Sequence, residues 1–184
     1  VTILTKGVEF LLKKNKVTYF KGIGSLKSKK EILIKDDKNK EILIQADKII
    51  IATGSLPASL PGIEFDEKII VSSTGALKLE KVPKKMVVVG GGYIGLEMGS
   101  VWSRLGAEVH VIEFLDHITP GMDKEISNEF MKILKKQGIK FHMQHKVELV
   151  KKNKTGAIVS TLDNNGNKKD FDCEIVLISV GRKP

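Results

Sequence analysis

The segment that most restricts the possible folds is residues 86–95, M-V-V-V-G-G-G-Y-I-G. A short apolar run leads into Gly90, Gly92 and Gly95, which are spaced as G-x-G-x-x-G. At a strand-to-helix turn, the first glycine permits the tight turn and the second lets a pyrophosphate approach the backbone. The third lets the helix pack closely on the strand. We therefore predict a βαβ unit whose helix N-terminus holds the phosphates of a dinucleotide.

The apolar periodicity around this motif predicts the fold class. From residue 84 onward, apolar strands alternate with amphipathic helices, which favours a parallel sheet with helical crossovers. We predict an α/β chain: a Rossmann-like domain whose parallel sheet carries an antiparallel β excursion at residues 147–171. The strands are expected at residues 86–89, 107–113, 139–143 and 175–180. The preceding residues predict a helix at 1–14, a β-rich stretch at 17–20, a hairpin across 31–45 and a buried strand at 47–52.

Two helices have predicted packing faces. The helix after Gly92 is expected to bury Ile94, Met98, Val101, Trp102 and Leu105, and to end at Gly106. The second is expected to begin after Asp123 as N-cap and to end at Gly138. Its apolar residues on one face are Ile126, Phe130, Ile133 and Leu134.

An acidic residue refines the prediction for the nucleotide. Glu113 ends the strand after the glycine motif, 18 residues beyond Gly95, where an acid binds the ribose 2′-hydroxyl. The sequence has no Lys or Arg from Leu105 through Asp123, so a 2′-phosphate would face a carboxylate with no neutralising cation nearby in sequence. This pattern favours NAD over NADP.

Charge and composition limit the other functional classes to which the chain could belong. The formal charge of +9 raises nucleic acid as a partner, but the excess is almost entirely lysine, the only arginines are Arg104 and Arg182, and aromatic residues are 5%. We therefore interpret it as a solvated surface rather than a nucleic-acid interface. No apolar run has the length of a membrane helix, and the single Cys173 is predicted to be inert. The scattered histidines predict no metal site.

Three segments in this order resemble the flavoprotein disulfide reductase family: I-I-I-A-T-G-S at 49–55, V-V-V-G-G-G-Y-I-G-L-E at 87–97 and S-V-G-R-K-P at 179–184. Within it, residues 99–113 are most similar to the branch that oxidises protein-bound dihydrolipoyl groups. The resemblance implies two cofactors, FAD and NAD, with the domains divided as 1–56 (part of an FAD domain), 57–83 (connection) and 84–184 (NAD domain).

The resemblance also implies site residues. The FAD contacts it implies are Gly22, Thr53, Gly54 and Ser55. The NAD contacts it implies are Gly90, Gly91, Gly92, Tyr93, Ile94, Gly95, Leu96, Glu97, Glu113, Val147 and Gly181, with Tyr93 and Glu97 beside the nicotinamide.

The family's FAD fingerprint, its C-x-x-x-x-C redox pair and its His-x-x-x-x-Glu base are not among these 184 residues. We therefore expect the central piece of a larger enzyme, inactive alone and with no catalytic residue of its own. For the whole protein, the resemblance implies a homodimer whose partners are the lipoyl domains of a 2-oxoacid dehydrogenase complex. We expect it in a bacterial cytoplasm or, less favoured, a mitochondrial matrix.

Three alternatives remain open. The first is another branch of the family that reduces glutathione or trypanothione with NADPH. The second is a stand-alone NAD-binding regulatory domain. The third is a basic nucleic-acid-binding module, which predicts binding that falls steeply with salt.

Overall fold

A computed structural model describes residues 2–184, which form two compact units, residues 2–53 and 54–184. The first unit contains α1 (Thr2–Lys14) and an antiparallel sheet in the order β1 (Ile23–Leu26), β2 (Glu31–Lys35) and β3 (Glu41–Gln45). The predicted helix and hairpin are confirmed, except that Val1 lies outside the described residues.

Two strand predictions in the first unit are wrong. Residues 17–20 and 47–52 form no strand, and Ile50 and Ile51 are exposed. A strand needs a neighbour to receive its backbone hydrogen bonds, and no strand pairs with either segment among residues 2–184. The strand that does form between these segments, β1, includes Gly24.

The second unit is built on a five-stranded sheet. The order is β5 (Ile70–Val71), β12 (Ile175–Ile178), β6 (Lys85–Val89), β7 (Glu108–Ile112) and β8 (Lys140–His142), and all four pairings are parallel. The helices of this unit are α2 (Ser73–Ala76), α3 (Tyr93–Arg104) and α4 (Lys124–Lys136). This confirms the predicted α/β class. Because β5 lies in the sheet, the segment at 57–83 contributes a strand and a short helix to this unit; the domain boundaries stay a prediction.

The predicted antiparallel excursion is also present. It is a three-stranded sheet in the order β11 (Lys168–Cys173), β10 (Ala157–Asp163) and β9 (His145–Lys152). A smaller pairing joins β4 (Leu56–Pro57) to β13 (Arg182–Lys183). No helix within residues 2–184 is long and apolar enough to cross a membrane.

The core of the second unit lies on both faces of the parallel sheet. Met86, Val88, Val109, Val111 and Leu177 are fully buried on one side, and Val87, Val176 and Ile178 are buried on the other. Strands covered on both faces are continuously apolar, as residues 86–89 are.

The helices bury only part of the predicted faces: Trp102 in α3 and Leu134 in α4 are buried as expected, and Met98 packs against the core. In α3 the buried residues are Gly95, Leu96, Gly99 and Trp102, whereas Val101 and Leu105 are exposed. The glycines bring the backbone of α3 against β6 and β7, so the contact side follows the small residues. In α4 only Ser127 and Leu134 are buried, and Ile126, Phe130 and Ile133 are exposed.

Candidate nucleotide site

A cavity of about 960 Å³ opens where the parallel strands end. It is lined by Val89 and Gly90 at the end of β6, by Ile112 and Glu113 at the end of β7, and by Ser179 just after β12. The carboxyl ends of β6, β7 and β12 meet there, which is the position where open parallel sheets bind ligands.

The three glycines of the motif differ in their surroundings. Gly90 has φ +103°, a conformation that glycine adopts readily, and a Cβ on it would lie 2.6 Å from the carbonyl oxygen of Ser179. A Cβ on Gly95 would lie 2.4 Å from both the carbonyl oxygen of Gly90 and Oγ of Ser179. A Cβ on Gly92 would meet nothing within 4 Å. Gly90 and Gly95 are therefore required by packing, while Gly92 faces open space on the cavity.

The N-terminus of α3 can bind an anion. Gly92 is the N-cap and supplies no side chain to the first N–H groups of the helix. These groups have no partner within the helix and lie at its positive end, so a phosphate could accept their hydrogen bonds. The geometry fits the pyrophosphate of a dinucleotide.

Glu113 is fixed between the ends of two strands. Its Oε2 accepts a hydrogen bond from the Gly91 N–H at 2.6 Å, and its Oε1 accepts one from the Leu115 N–H at 2.8 Å. The side chain is buried at the cavity wall. A carboxylate has about four lone-pair positions, so acceptor capacity remains for a ribose hydroxyl.

The remaining predicted nucleotide residues fall into two groups. Tyr93, Ile94, Val147 and Gly181 line the cavity, and Tyr93 is largely exposed. Gly91 is buried behind the turn, Leu96 packs in the core, and Glu97 is exposed on α3 beyond the lining residues.

The residues predicted to contact a flavin divide between the two units. Gly22 and Thr53 belong to the first unit, and Gly54 and Ser55 begin the second. Gly54 has φ +79°. Arg182 donates from Nε to Ser55 Oγ at 2.7 Å and from Nη2 to the Ser55 carbonyl oxygen, which ties this segment to the end of the chain at the cavity. Their role toward a flavin stays a prediction.

Of residues 145–148 only Val147 was predicted, whereas His145, Lys146 and Glu148 also line the cavity. Lys146 lies outside residues 105–123, the stretch around Glu113 that has no Lys or Arg. Lys146 comes from β9 and forms an ion pair with Glu148, with 2.8 Å between Nζ and Oε1. The only signal available in the sequence was their closeness to Val147.

Three histidines that are scattered in the sequence converge beside the site. Nδ1 of His110 lies 3.0 Å from Nε2 of His142, and Nε2 of His110 lies 3.0 Å from Oε1 of Glu108. The ring of His145 lies edge-on to His142. Burial, reinforced by the charge of Lys169, lowers the pKa of His142 to about 4. Within residues 2–184, no group of three or more His, Cys, Asp or Glu side chains could hold a metal ion.

Cys173, the only cysteine, lies at the end of β11 and is buried. Its Sγ is 3.5 Å from the carbonyl oxygen of Ala157, and burial raises its pKa to about 12. A thiol so rarely ionised is a poor nucleophile.

Comparisons with known proteins agree with this geometry. The solved structure of LpdA from Mycobacterium tuberculosis superposes with a TM-score of 0.86 at 21% identity, covering 100% of this chain and 40% of that one. At that identity the likeness concerns the fold alone.

Curated relatives are much closer in sequence. The chain is 49% identical to mitochondrial dihydrolipoyl dehydrogenase of Pisum sativum and 50% identical to dihydrolipoamide dehydrogenase of Chaetomium thermophilum. It is 48% identical to leghemoglobin reductase of Glycine max. Each match covers 100% of this chain, which spans only 35–37% of the length of these relatives.

The family comparison covers the whole chain. Residues 1–184 match the family described as pyridine nucleotide-disulphide oxidoreductase. The parallel sheet, the glycine turn and the cavity beside Glu113 are consistent with that match. The chain belongs to the pyridine nucleotide-disulphide oxidoreductase family.

Proposed function

We propose that this chain is the nucleotide-binding part of a dihydrolipoyl dehydrogenase, which passes electrons from protein-bound dihydrolipoamide through FAD to NAD. The observation that carries the nucleotide role is the cavity that joins the uncapped N-terminus of α3 to Glu113. The reaction is proposed from the names of relatives that are about half identical over the whole chain.

Each part of the cavity has a proposed task toward NAD, which when bound supplies the acceptor for a hydride. The N–H groups at the start of α3 bind the pyrophosphate, and Glu113 accepts a hydrogen bond from the adenosine ribose. Val147 packs near the adenine. Tyr93, Glu97 and Gly181 surround the nicotinamide, and Gly22, Thr53, Gly54 and Ser55 contact FAD.

We further propose that the whole protein acts as a homodimer on the lipoyl domains of a 2-oxoacid dehydrogenase complex, without binding nucleic acid. The sequence favoured a bacterial source, but the relatives in pea, Arabidopsis and Dictyostelium are named mitochondrial and give that preference no support. A mitochondrial matrix is therefore the location we favour, with a bacterial cytoplasm as the alternative.

Calorimetry with NAD tests the cavity directly. Gly92→Val places methyl groups in the space reserved for the pyrophosphate, so we expect NAD affinity to fall by at least about tenfold. Gly24→Val, in β1 of the other unit, is the matched control because Gly24 has no close neighbour that a Cβ would strike. Equal NAD affinity in wild type and Gly92→Val would refute the assignment of this site.

A second candidate is an NADPH-dependent reductase of the same family, acting on glutathione or trypanothione disulfide. The observation that favours it is the cation Lys146 on the cavity, which the sequence pattern around Glu113 does not reveal. The two candidates are separated by measuring, in the full-length protein, NADH formation from dihydrolipoamide and NADPH consumption with each disulfide. Activity only in the second assay would replace the proposed reaction.

A further inference from the structure

Four consecutive residues, 145–148, line the nucleotide cavity. In a regular strand, successive side chains point to opposite faces, so only every second side chain could line a cavity on one face. The strand β9 must therefore depart from regular geometry at this point.

The departure is a β-bulge. Along the β9–β10 pairing, Thr161 is opposite Val147 and Ser160 is opposite Leu149, so Glu148 is an additional residue with no partner on β10. Bulges occur beside functional sites, where they change the direction of a side chain. Here the bulge allows two successive residues, Val147 and Glu148, to lie on the cavity wall.

This bulge lies beside the residue predicted to select the ribose. The N–H of His145 donates to the carbonyl oxygen of Glu113 at 3.0 Å, which holds the start of β9 against the end of β7. The ion pair between Lys146 and Glu148 is therefore close in the fold to Glu113, although these residues are distant in sequence.

Both cations on the cavity already have hydrogen-bond partners. Lys146 forms an ion pair with Glu148, whereas Arg182 donates to Ser55, a neutral residue. The anions among the lining residues are Glu113 and Glu148. A 2′-phosphate, with a charge of about −1.5 to −2, would share the cavity with two carboxylates while Lys146 is engaged by one of them.

We propose that Glu148 is a specificity-determining residue: by holding Lys146 in an ion pair, it keeps that lysine from binding a 2′-phosphate and so favours NAD over NADP. The inference rests on the proposed function, because it requires that the cavity bind a pyridine dinucleotide. Glu148, on β9, would then be a second determinant of the choice between NAD and NADP, in addition to Glu113 at the end of β7.

The test is the ratio of NADP to NAD affinity, measured by calorimetry on the full-length protein at low ionic strength. Glu148→Gln removes one carboxylate and releases Lys146, so we expect the ratio to rise about three- to tenfold, as for a partly exposed charge pair. Lys146→Gln is expected to lower the ratio. In high salt the effect of Glu148→Gln should shrink.

Glu129→Gln is the matched control. It breaks the ion pair between Glu129 and Lys132, which is similar in length and exposure but lies on α4, away from the cavity. An unchanged ratio in Glu148→Gln, or an equal change in Glu129→Gln, would overturn the proposal. If the wild type bound neither nucleotide, the proposed function would fail as well, whereas NAD binding without a shift in the ratio would defeat only the role of Glu148.

Discussion

Gly92 and Gly95 belong to one motif but lie in different surroundings. The space beyond Gly92 is open, whereas Gly95 is enclosed by the backbone of Gly90, Oγ of Ser179 and Cγ1 of Val88. The sequence predicted both roles, because the spacing of the motif is tied to a known turn geometry.

These surroundings predict that alanine at the two positions has unequal effects on stability. Gly95→Ala forces a methyl group against backbone atoms, so we expect it to lower the free energy of unfolding by about 1–3 kcal/mol. Gly92→Ala should change that free energy by less than about 0.5 kcal/mol. Urea denaturation of the two variants measures the difference. A Gly95→Ala protein as stable as wild type would show that the contact between α3 and β6 is looser than described.

His142 makes stability depend on pH. Its pKa is lowered from 6.5 to about 4, chiefly by burial, so between these values the unfolded chain binds the proton more readily than the folded chain. The stabilisation is complete above about pH 6.5 and is lost as the pH falls toward 4. Lys169, His110, His145 and Lys140 face the same ring and add to this shift.

We therefore expect the melting temperature of the wild type to drop between about pH 6.5 and 4 by more than that of His142→Gln, which has no imidazole at this position. Thermal melts followed by circular dichroism at each pH provide the comparison. His117→Gln controls for the loss of a histidine, because His117 pairs with Asp116 outside this cluster. Parallel pH profiles for wild type and His142→Gln would contradict the burial argument.

At the scale of elements, α4 shows how a cap positions a helix beside the site. Oδ1 of Asp123 accepts hydrogen bonds from the N–H groups of Glu125 at 2.9 Å and Ile126 at 3.2 Å. The cap was predicted from the sequence. Of the predicted apolar face only Leu134 is buried, because periodicity shows which residues share a side and does not show which side meets the sheet.

Asp123→Ala should lower the free energy of unfolding by about 1 kcal/mol, since two N–H groups at the helix start lose their acceptor. Asp123→Asn should retain most of the stability, because an amide oxygen can accept the same bonds. Denaturant titration of both variants distinguishes the loss of the capping hydrogen bonds from a general effect of replacing Asp123. Equal losses in both variants would indicate that the charge, rather than the hydrogen bonds, is what matters.

For the whole molecule, the buried core is confined to one unit. The buried hydrophobic residues run from Ile63 to Ile178, and none of the described residues 2–53 is buried. Burial of apolar surface is the main source of folding free energy, so the two units should differ in stability.

Hydrogen exchange followed by mass spectrometry should show this difference. We expect amides in β1, β2 and β3 to exchange much faster than those in β6, β7 and β12, whose side chains are largely buried. Residues 54–184 expressed alone should retain both the slow amides and the affinity for NAD. Equally slow exchange in the two units would mean that residues 2–53 are stabilised by more than the contacts described above.

The contrast between the units also explains what sequence could predict. Strands 86–89, 107–113 and 175–180 were predicted correctly because apolar residues mark them and each pairs with neighbouring strands of the parallel sheet. The stretch at 47–52 has the same apolar character but pairs with no strand within residues 2–184, so its pattern was misleading. Lys146, Glu148 and the three histidines meet only through strand pairing and one bulge, which local spacing does not encode.

Because Cys173 is buried, the rate at which its thiol reacts can show how often the surrounding strands separate. Because its pKa is raised to about 12 and its sulfur is covered, a disulfide reagent should modify it only when β10 and β11 separate. The labelling rate would then measure how often the second unit opens, without any added probe. We expect labelling near pH 8 to be slow in buffer, slower still with saturating NAD, and rapid in denaturant. Fast labelling in buffer would show that this edge of the protein opens freely.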